Sequence, residues 1–398
     1  MREHLRLVAL LIPMVLVASN SYAAVKAGSA CSKAGSKSVS GGKSHTCIKS
    51  GKKLVWDKGV LVPVAKPKAS ASASAAPSAS PTPKASVAPA VVYPKGPTSF
   101  DDLIENYQGI SYAAWSKSRE KILASSKSDF QLKMVVGPTT KLVLKEPIVP
   151  INLVTRLYSG YTEPAEINYL AFNYEDREWA VKMMESIIPK SGSGWVTDTA
   201  CRTRETCWGG GAFFDGKNNF LIVVAVGIED LNHTSGSLDA HEFTHVLQQM
   251  NMKQARPPRE FIYDPWPATW YWEGQARFTQ HASVYFEDFT LYARERRVTS
   301  GVIFQDSRFN STHIQNYFVF NAPTDWQANY DRQRQYDLGA MFVEILVALK
   351  GPDLSMEVWK LCGTGMKFPE AFERIYGTTY EKALPLMAKA LALQLGRS

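Results

Sequence analysis

A stretch with almost no large apolar side chains, residues 63–97, divides the chain and constrains its fold more than any other feature. It consists mostly of Ala, Ser, Pro, Val and Lys. Such a segment buries too little apolar surface to offset the conformational entropy that folding removes, so we predict a disordered and fairly extended linker. Compact structure is therefore expected on either side of it, in residues 24–62 and in residues 98–398.

The first residues carry the pattern of a signal peptide. Residues 1–6 include two Arg, residues 7–18 form an apolar run, and small side chains follow near position 23. The run is shorter than the roughly 20 apolar residues that a membrane-spanning helix needs. We therefore predict that residues 1–23 are removed on export and that the mature protein is secreted or held at the cell surface.

The five Cys of the chain fit an oxidising compartment. Cys31 is expected to pair with Cys47, and Cys201 with Cys207, whereas Cys362 is expected to be a small buried thiol. No Cys-x-x-Cys or Cys/His cluster indicates metal binding by Cys. Residues 24–62 have too little core to fold without their disulfide.

The segment from residue 24 to residue 62 resembles small Cys-pair modules found ahead of exported bacterial proteins. The resemblance rests on residues 28–31 and residues 46–52, and it says little about function. Residues 53–56, Lys-Leu-Val-Trp, follow with a strand-like pattern.

The positive charge of the chain is concentrated in its N-terminal part. Residues 24–97 contain twelve Lys, no Arg and one acidic residue, Asp57, whereas the whole chain has a net charge of +8. Such a basic arm outside the cell is expected to contact anionic wall polymers or lipid headgroups, unless its Lys serve only to keep the linker soluble. Nucleic acid is not an expected partner, because this part has few aromatic side chains for stacking on bases.

The part after residue 97 is long enough to bury a large core and contains signals for both helices and strands. Apolar periodicity predicts helices over residues 100–125 and 174–188, and apolar runs predict strands over residues 148–157 and 220–226. Helical patterns dominate from there to residue 395. This order predicts an α+β fold, with a mixed sheet followed by a mostly helical C-terminal lobe.

The residues with the clearest chemistry follow the second predicted strand. Residues 239–249 read Asp-Ala-His-Glu-Phe-Thr-His-Val-Leu-Gln-Gln, which contains His241, Glu242 and His245 in H-E-x-x-H spacing. Four residues are about one helical turn, so both imidazoles point from one face and can bind one cation. Glu242 is rotated about 100° from His241, where it can face a metal-bound water instead of the metal.

A third ligand is expected from a helix that begins shortly before Glu273, within the run Trp-Tyr-Trp-Glu-Gly-Gln-Ala. Glu260 and Glu287 are the alternatives. Three protein ligands that leave one position open are the arrangement of a catalytic zinc, whereas four close the site. The pattern therefore predicts Zn²⁺ held by His241, His245 and Glu273.

These motifs resemble the gluzincin branch of zinc metallopeptidases, which includes thermolysin-like and zinc aminopeptidase families. The resemblance rests on residues 241–245 and 272–276, and it extends to a Tyr-x-x-Gly segment that begins at Tyr336. It implies a zincin-like fold for residues 98–398, a Zn²⁺ cofactor, Glu242 as general base and Tyr336 as a donor to the transition state. Core packing alone also explains a Tyr at this spacing.

Two departures from the family pattern restrict the prediction. Thermolysin-like enzymes have an Asp four residues after the third ligand to orient a zinc-binding His, and here that position is Arg277. The Gly-x-Met-Glu-Asn motif of aminopeptidases is missing, so removal of single N-terminal residues is not expected. We therefore expect a secreted endopeptidase that hydrolyses peptide or protein substrates through a Glu-activated, zinc-bound water.

The alternative from another functional class is a surface- or cell-wall-binding protein with a catalytically silent zincin-like scaffold. A silent scaffold has no physical need for Glu242, so the complete set of base and ligands favours the peptidase. A zinc hydrolase acting on another kind of bond also fits the motifs. Residues 209–214 are interpreted either as an edge strand that pairs with substrate or as a loop beside the second disulfide.

Overall fold

The structure is a computed structural model. It describes most of the chain, namely residues 28–31, 34–40, 43–51, 53–61, 92–189, 192–217, 219–227, 230–253, 265–321 and 333–398. The predicted signal peptide, residues 1–23, lies outside the described residues, as do residues 63–91 of the linker that was predicted over residues 63–97. Internal contacts divide the chain into two compact units, Met1–Ala88 and Pro89–Ser398.

The smaller unit contains a four-stranded antiparallel sheet. Its strands are β1 (Lys37–Ser40), β2 (Lys43–Ser50), β3 (Lys53–Trp56) and β4 (Val60–Leu61). β2 pairs with each of the other three strands. The predicted disulfide between Cys31 and Cys47 is confirmed, with Cα atoms 5.9 Å apart. A cross-link of this kind stabilises a segment that has few large apolar side chains to bury.

The larger unit is built on a four-stranded mixed sheet. Three parallel strands, β5 (Gln131–Val136), β6 (Glu166–Phe172) and β8 (Phe220–Val226), lie side by side in that order. β7 (Trp208–Phe214) pairs antiparallel with β8 and forms an edge of the sheet. The strand predicted over residues 220–226 is therefore confirmed, and residues 209–214 belong to an edge strand.

Apolar residues on both faces of β8 join it to two separate cores. The even-numbered residues from Phe220 to Val224 pack into the larger core of the unit. The odd-numbered residues from Leu221 to Ala225 pack into a smaller core that also contains Ala180, Met184 and Ile188. A strand that is covered on both faces loses the alternation of polar and apolar residues, which explains its uninterrupted apolar sequence.

Three helices accompany the sheet, namely α1 (Ile110–Ala124), α2 (Ile148–Leu157) and α3 (Arg177–Ile187). The helix predicted over residues 174–188 is confirmed as α3. The helix predicted over residues 100–125 begins only at Ile110, after turns and a short 3₁₀ segment, Tyr107–Gly109. α1 packs against the helical part of the unit, and the Trp115 indole donates a hydrogen bond to the Tyr285 carbonyl, 3.0 Å away.

The prediction of a strand over residues 148–157 is wrong, because these residues form α2. Ile151, Val154 and Leu157 are fully buried, whereas Val149 is 53% exposed, so the burial repeats with helical spacing. A short apolar run does not distinguish a buried strand from a one-sided helix. Pro150 does not prevent the helix, because an N–H in the first turn has no partner within the helix.

After β8 the described chain is almost entirely helical, which confirms the α+β class. The helices are α4 (Leu231–Ser235), α5 (Ser237–Met252), α6 (Thr269–Val284), α7 (Phe289–Thr299), α8 (Gly301–Gln305), α9 (Ser311–Asn321), α10 (Gln333–Lys350), α11 (Pro352–Cys362), α12 (Phe368–Tyr376) and α13 (Tyr380–Gln394). α5, α6 and α10 lie at the centre, and nearly all residues of α5 are buried.

α6 and α10 approach each other closely at two glycines. A Cβ atom added to Gly274 would lie 2.3 Å from the carbonyl carbon of Gly339. A Cβ atom added to Gly339 would lie 2.4 Å from the Trp270 carbonyl oxygen. Only glycine therefore permits this helix crossing, which holds the residues on either side of it in a fixed relative position.

The remaining cysteines also lie where the sequence predicts. Cys201 and Cys207 form the second disulfide, and Cys362 is buried and takes no part in either bridge. Two disulfides indicate an oxidising, extracellular environment. Within the described residues, no helix combines the length and the apolar character required to cross a membrane.

Candidate metal centre

Two helices bring three buried ligand side chains to one point. α5 presents His241 and His245 one turn apart on the same face, and α6 presents Glu273 opposite them. The two Nε2 atoms are 3.2 Å apart, and the Glu273 Oε2 atom lies 3.1 Å from that of His245 and 3.6 Å from that of His241. The three ligand atoms all lie within 4.8 Å of one another, so this group can hold a metal ion.

The amide of Gln248 fixes the proton position on His245. Its Nε2 atom donates hydrogen bonds to the Trp272 carbonyl at 3.0 Å and to the Gln275 Oε1 atom at 2.9 Å. The Gln248 Oε1 atom therefore faces His245, and it accepts a hydrogen bond from His245 Nδ1 at 2.7 Å. With a proton on Nδ1, Nε2 is the nitrogen that can offer a lone pair to a metal ion.

Gln280 fixes the proton position on His241 in the same way. Its Oε1 atom lies 3.0 Å from His241 Nδ1, and its Nε2 atom lies 3.2 Å from the His281 Nε2 atom. The amide donates to the His281 nitrogen, which places its oxygen opposite the proton of His241 Nδ1. Hydrogen bonds of this kind set the tautomer and the ring orientation of metal-binding histidines.

The inferred proton positions favour binding of a cation by this group. Two nitrogen lone pairs and a carboxylate oxygen converge in a buried space, and both ring protons point away from it. Three acceptors at such distances repel one another unless a positive charge lies between them. Burial also lowers the pKa of His241 to about 4, so its ring is neutral at pH 7, which is the form that coordinates a metal.

Of the two alternatives to Glu273, the one that the structure describes does not join this group. Glu287 is exposed in the turn that precedes α7. Glu260 lies outside the described residues. The carboxylate of Glu273 is 2% exposed and approaches both histidines, so its position is the one that supports metal binding.

Glu242 is buried beside the edge strand and is not one of the three converging ligands. A Cβ atom added to Gly210 of β7 would lie 2.7 Å from the Glu242 Cγ atom and 2.8 Å from its Oε1 atom. The Glu242 side chain therefore lies directly against the backbone of β7. The absence of a side chain at Gly210 makes room for it.

Aromatic rings line the group on two sides. The His245 ring stacks on the Trp272 ring with centroids 4.5 Å apart. The Tyr336 ring lies nearly parallel to that of His241, with centroids 6.0 Å apart and an interplanar angle of 20°. The Arg277 guanidinium carbon is 5.6 Å from the centroid of the Tyr336 ring. The structure thus places Tyr336, predicted from its resemblance, beside the metal ligands.

The residues that sequence reasoning missed are the amides that orient the histidines. Gln248 follows His245 by three positions, and Gln280 follows Glu273 by seven, so each shares a helix face with a ligand. The only sequence signal for these residues was the presence of polar amide side chains on helices that are otherwise buried.

A second buried pair supports the start of α5. The Tyr169 hydroxyl of β6 donates a hydrogen bond to the Asp239 Oδ1 atom at 2.6 Å. Burial raises the pKa of Asp239 to about 6, although this hydrogen bond acts in the opposite direction. The pair connects the sheet to the helix that carries the histidines, which agrees with a supporting role for Asp239.

The comparisons with known proteins give no further indication of function. No protein-family model matches the chain, and no curated protein matches it either. The functional assignment therefore depends on the geometry of the site itself.

The hydrogen bond from His241 to Gln280 leads to a prediction. Gln280→Met keeps the side-chain length but removes the acceptor, and we expect it to lower metal affinity by about 10–100-fold. Gln280→Glu keeps an acceptor for His241 Nδ1 and is expected to bind metal within a few-fold of the parent. Competition with a chromophoric chelator measures both affinities. Equal affinities for the parent and the Met variant would contradict this role of Gln280.

Proposed function

We propose that this protein is an exported zinc metallopeptidase of the gluzincin kind, acting as an endopeptidase. The observation that carries the proposal is the buried convergence of His241, His245 and Glu273 next to Glu242 and an edge strand. Two His and one Glu are a donor set typical of catalytic zinc, and three protein ligands leave a position for water or substrate. Zinc in such a site acidifies water and polarises a carbonyl group.

Glu242 is proposed as the general base. Its carboxylate adjoins the ligand group on α5 without belonging to it. There it can accept a proton from the attacking water and transfer it to the nitrogen of the leaving amine. Its burial at 5% exposure keeps bulk water from competing for this proton.

The edge strand supports an extended peptide as the substrate. Among the described residues, β7 is bonded to β8 on one side only, and three successive glycines, residues 209–211, leave its backbone accessible. An extended peptide can pair with such an edge through main-chain hydrogen bonds. Because Gly210 adjoins Glu242, a peptide on this edge would pass close to the base. An open strand edge of this kind favours cleavage within a chain over removal of terminal residues.

Tyr336 is proposed to stabilise the transition state. Its ring lies beside that of His241 and is partly exposed, so its hydroxyl can reach a bound substrate. A hydroxyl donor aimed at a developing oxyanion contributes a few kcal/mol, roughly 3 in comparable sites. This role agrees with the Tyr-x-x-Gly resemblance.

The test uses residues 24–398 purified from an oxidising expression host. We expect elemental analysis to find one zinc ion per chain, and mass spectrometry to detect cleavage within the members of an unbiased peptide mixture. Chelation should abolish cleavage, and added Zn²⁺ should restore it. Far-ultraviolet circular dichroism of the chelated protein controls for unfolding.

Two other outcomes would decide against the proposal. A protein that binds no metal would remove its basis. Bound zinc without cleavage of any peptide would instead favour the surface-binding protein with a silent scaffold, or a hydrolase of another bond.

A further inference from the structure

Arg277 lies beside the proposed reaction centre, but the proposed mechanism gives it no role. It follows Glu273 by four residues and precedes Gln280 by three, so it shares the face of α6 that supports the metal ligands. Its guanidinium carbon is 5.6 Å from the centroid of the Tyr336 ring, which itself adjoins His241. A fixed positive charge is therefore held beside the ligand group.

Arg277 differs in its ion pairing from two other arginines of the helical part. Arg334 pairs with Asp337 at 2.8 Å, and Arg296 pairs with Glu344 at 2.6 Å. Among the described residues, Arg277 forms no ion pair with a carboxylate, and its buried Nε atom has no hydrogen-bond partner. This buried N–H has lost water without gaining an acceptor, which is unfavourable until an anion binds nearby.

The charges around the site do not compensate Arg277. Glu273 and Glu242 together balance a divalent cation, so Arg277 gives the centre an excess positive charge. The neighbouring His281 cannot supply a negative charge, and its pKa is held well below the ordinary value by burial and, to a smaller extent, by Arg277. The site is therefore electrostatically complementary to a ligand that carries an additional negative charge.

We propose that Arg277 binds a carboxylate of the substrate close to the scissile bond and thereby selects acidic substrates. This inference rests on the proposed function. A guanidinium offers two parallel N–H donors that match the two oxygens of a carboxylate, and its packing on Tyr336 restricts its orientation. The carboxylate belongs either to an acidic side chain or to the C-terminus of the substrate.

A binding experiment separates this inference from catalysis. The protein is residues 24–398 with the substitution Glu242→Gln and zinc bound, so that peptides are not consumed. The probes are an acetylated hexa-alanine amide, the same peptide with a free C-terminal carboxylate, and two series in which each Ala in turn is replaced by Glu or by Gln. Calorimetry measures their dissociation constants with Arg277, with Arg277→Gln and with Arg277→Lys.

We expect one anionic peptide to bind about tenfold or more tightly than its neutral counterpart, which corresponds to one charge-assisted interaction. Preference for one Glu position identifies an acidic side chain, and preference for the free C-terminus identifies a terminal carboxylate. Arg277→Gln should remove the preference and leave the affinity for the neutral peptides unchanged. Arg277→Lys should retain part of it, since the charge remains but the paired donors do not.

The outcomes also distinguish this inference from the proposed function. The inference would be overturned if the protein with Arg277 bound anionic and neutral peptides with equal affinity. It would also be overturned if this protein bound neither kind of peptide. A preference that persists in Arg277→Gln would do the same, because the carboxylate would then be bound by the metal. An Arg277-dependent preference in a protein whose parent cleaves no peptide would retain the inference and reject the peptidase. Thermal unfolding of each variant confirms that the fold is intact.

Discussion

Replacing Glu242 with Gln is expected to reduce kcat/KM for peptide cleavage by a factor of about 10²–10⁴, the contribution typical of a positioned proton-transfer group. The amide has nearly the same shape as the carboxylate, so it fits against Gly210 of β7, but it does not accept the proton of the attacking water. Glu242 is not among the three converging ligands, so zinc content should stay at that of the parent. Steady-state kinetics and elemental analysis on the same preparations measure both quantities.

Two matched variants make this result interpretable. Glu287→Gln removes an exposed acidic group in the same unit, and it should leave cleavage and zinc content unchanged. Tyr336→Phe removes only a hydroxyl beside the site, and it should lower kcat/KM by about 10²-fold if that hydroxyl donates to the transition state. Full cleavage by Glu242→Gln would mean that Glu242 is not the general base and that α5 has only a structural role. Loss of zinc from this variant would mean that Glu242 is a structural part of the metal centre.

Much of the candidate site could be predicted because helix geometry is regular. Residues four apart on a helix share a face, so the spacing of His241 and His245 was sufficient to place both imidazoles together. Glu273 was harder, since its position depends on how α6 crosses α5. The run around Glu273 indicated a helix start, and the structure brings its carboxylate to within 3.1 Å of His245.

The supporting residues could not be predicted in the same way. Gln248 and Gln280 act through amide orientations, and these are fixed by partners on other elements such as the Trp272 carbonyl. No spacing rule encodes a rotamer that is chosen by tertiary contacts. Arg277 was visible only as a departure from the family pattern, and its proximity to Tyr336 required the packing of α6 against α10.

The fold shows the same division between local and non-local information. β8 was predictable because burial on both faces requires an unbroken apolar run. α2 was not predictable, because its apolar run is short and rich in β-branched residues and therefore also fits a strand. Only burial of one side against the core identifies it as a helix. The strand order β5-β6-β8-β7 arises from pairing between distant segments. The sequence therefore offered an edge strand as one interpretation of residues 209–214 without showing which strand pairs with it.

Replacing Gly274 with Ala is expected to destabilise the protein, although Ala favours a helix by about 1 kcal/mol over Gly in an open position. The added Cβ atom would lie 2.3, 2.6 and 2.7 Å from backbone atoms of Gly339, and backbone cannot move aside as a side-chain end can. Overpacking of this kind costs about 1–3 kcal/mol. The matched control is Gly301→Ala at the start of α8, where the nearest atom is the Gln305 Nε2 atom at 3.7 Å.

The helix crossing also links stability to function. Gly274 follows the ligand Glu273 directly, and Gly339 follows Tyr336 by one turn of α10. Separation of α6 from α10 would therefore move Glu273 away from Tyr336, so Gly274→Ala should lower metal affinity and cleavage as well as the free energy of unfolding. Thermal unfolding should show a midpoint several degrees below that of the parent for Gly274→Ala and an unchanged or slightly higher midpoint for Gly301→Ala. Equal midpoints for the two variants would show that the helices separate at little cost, and the two glycines would then need another explanation.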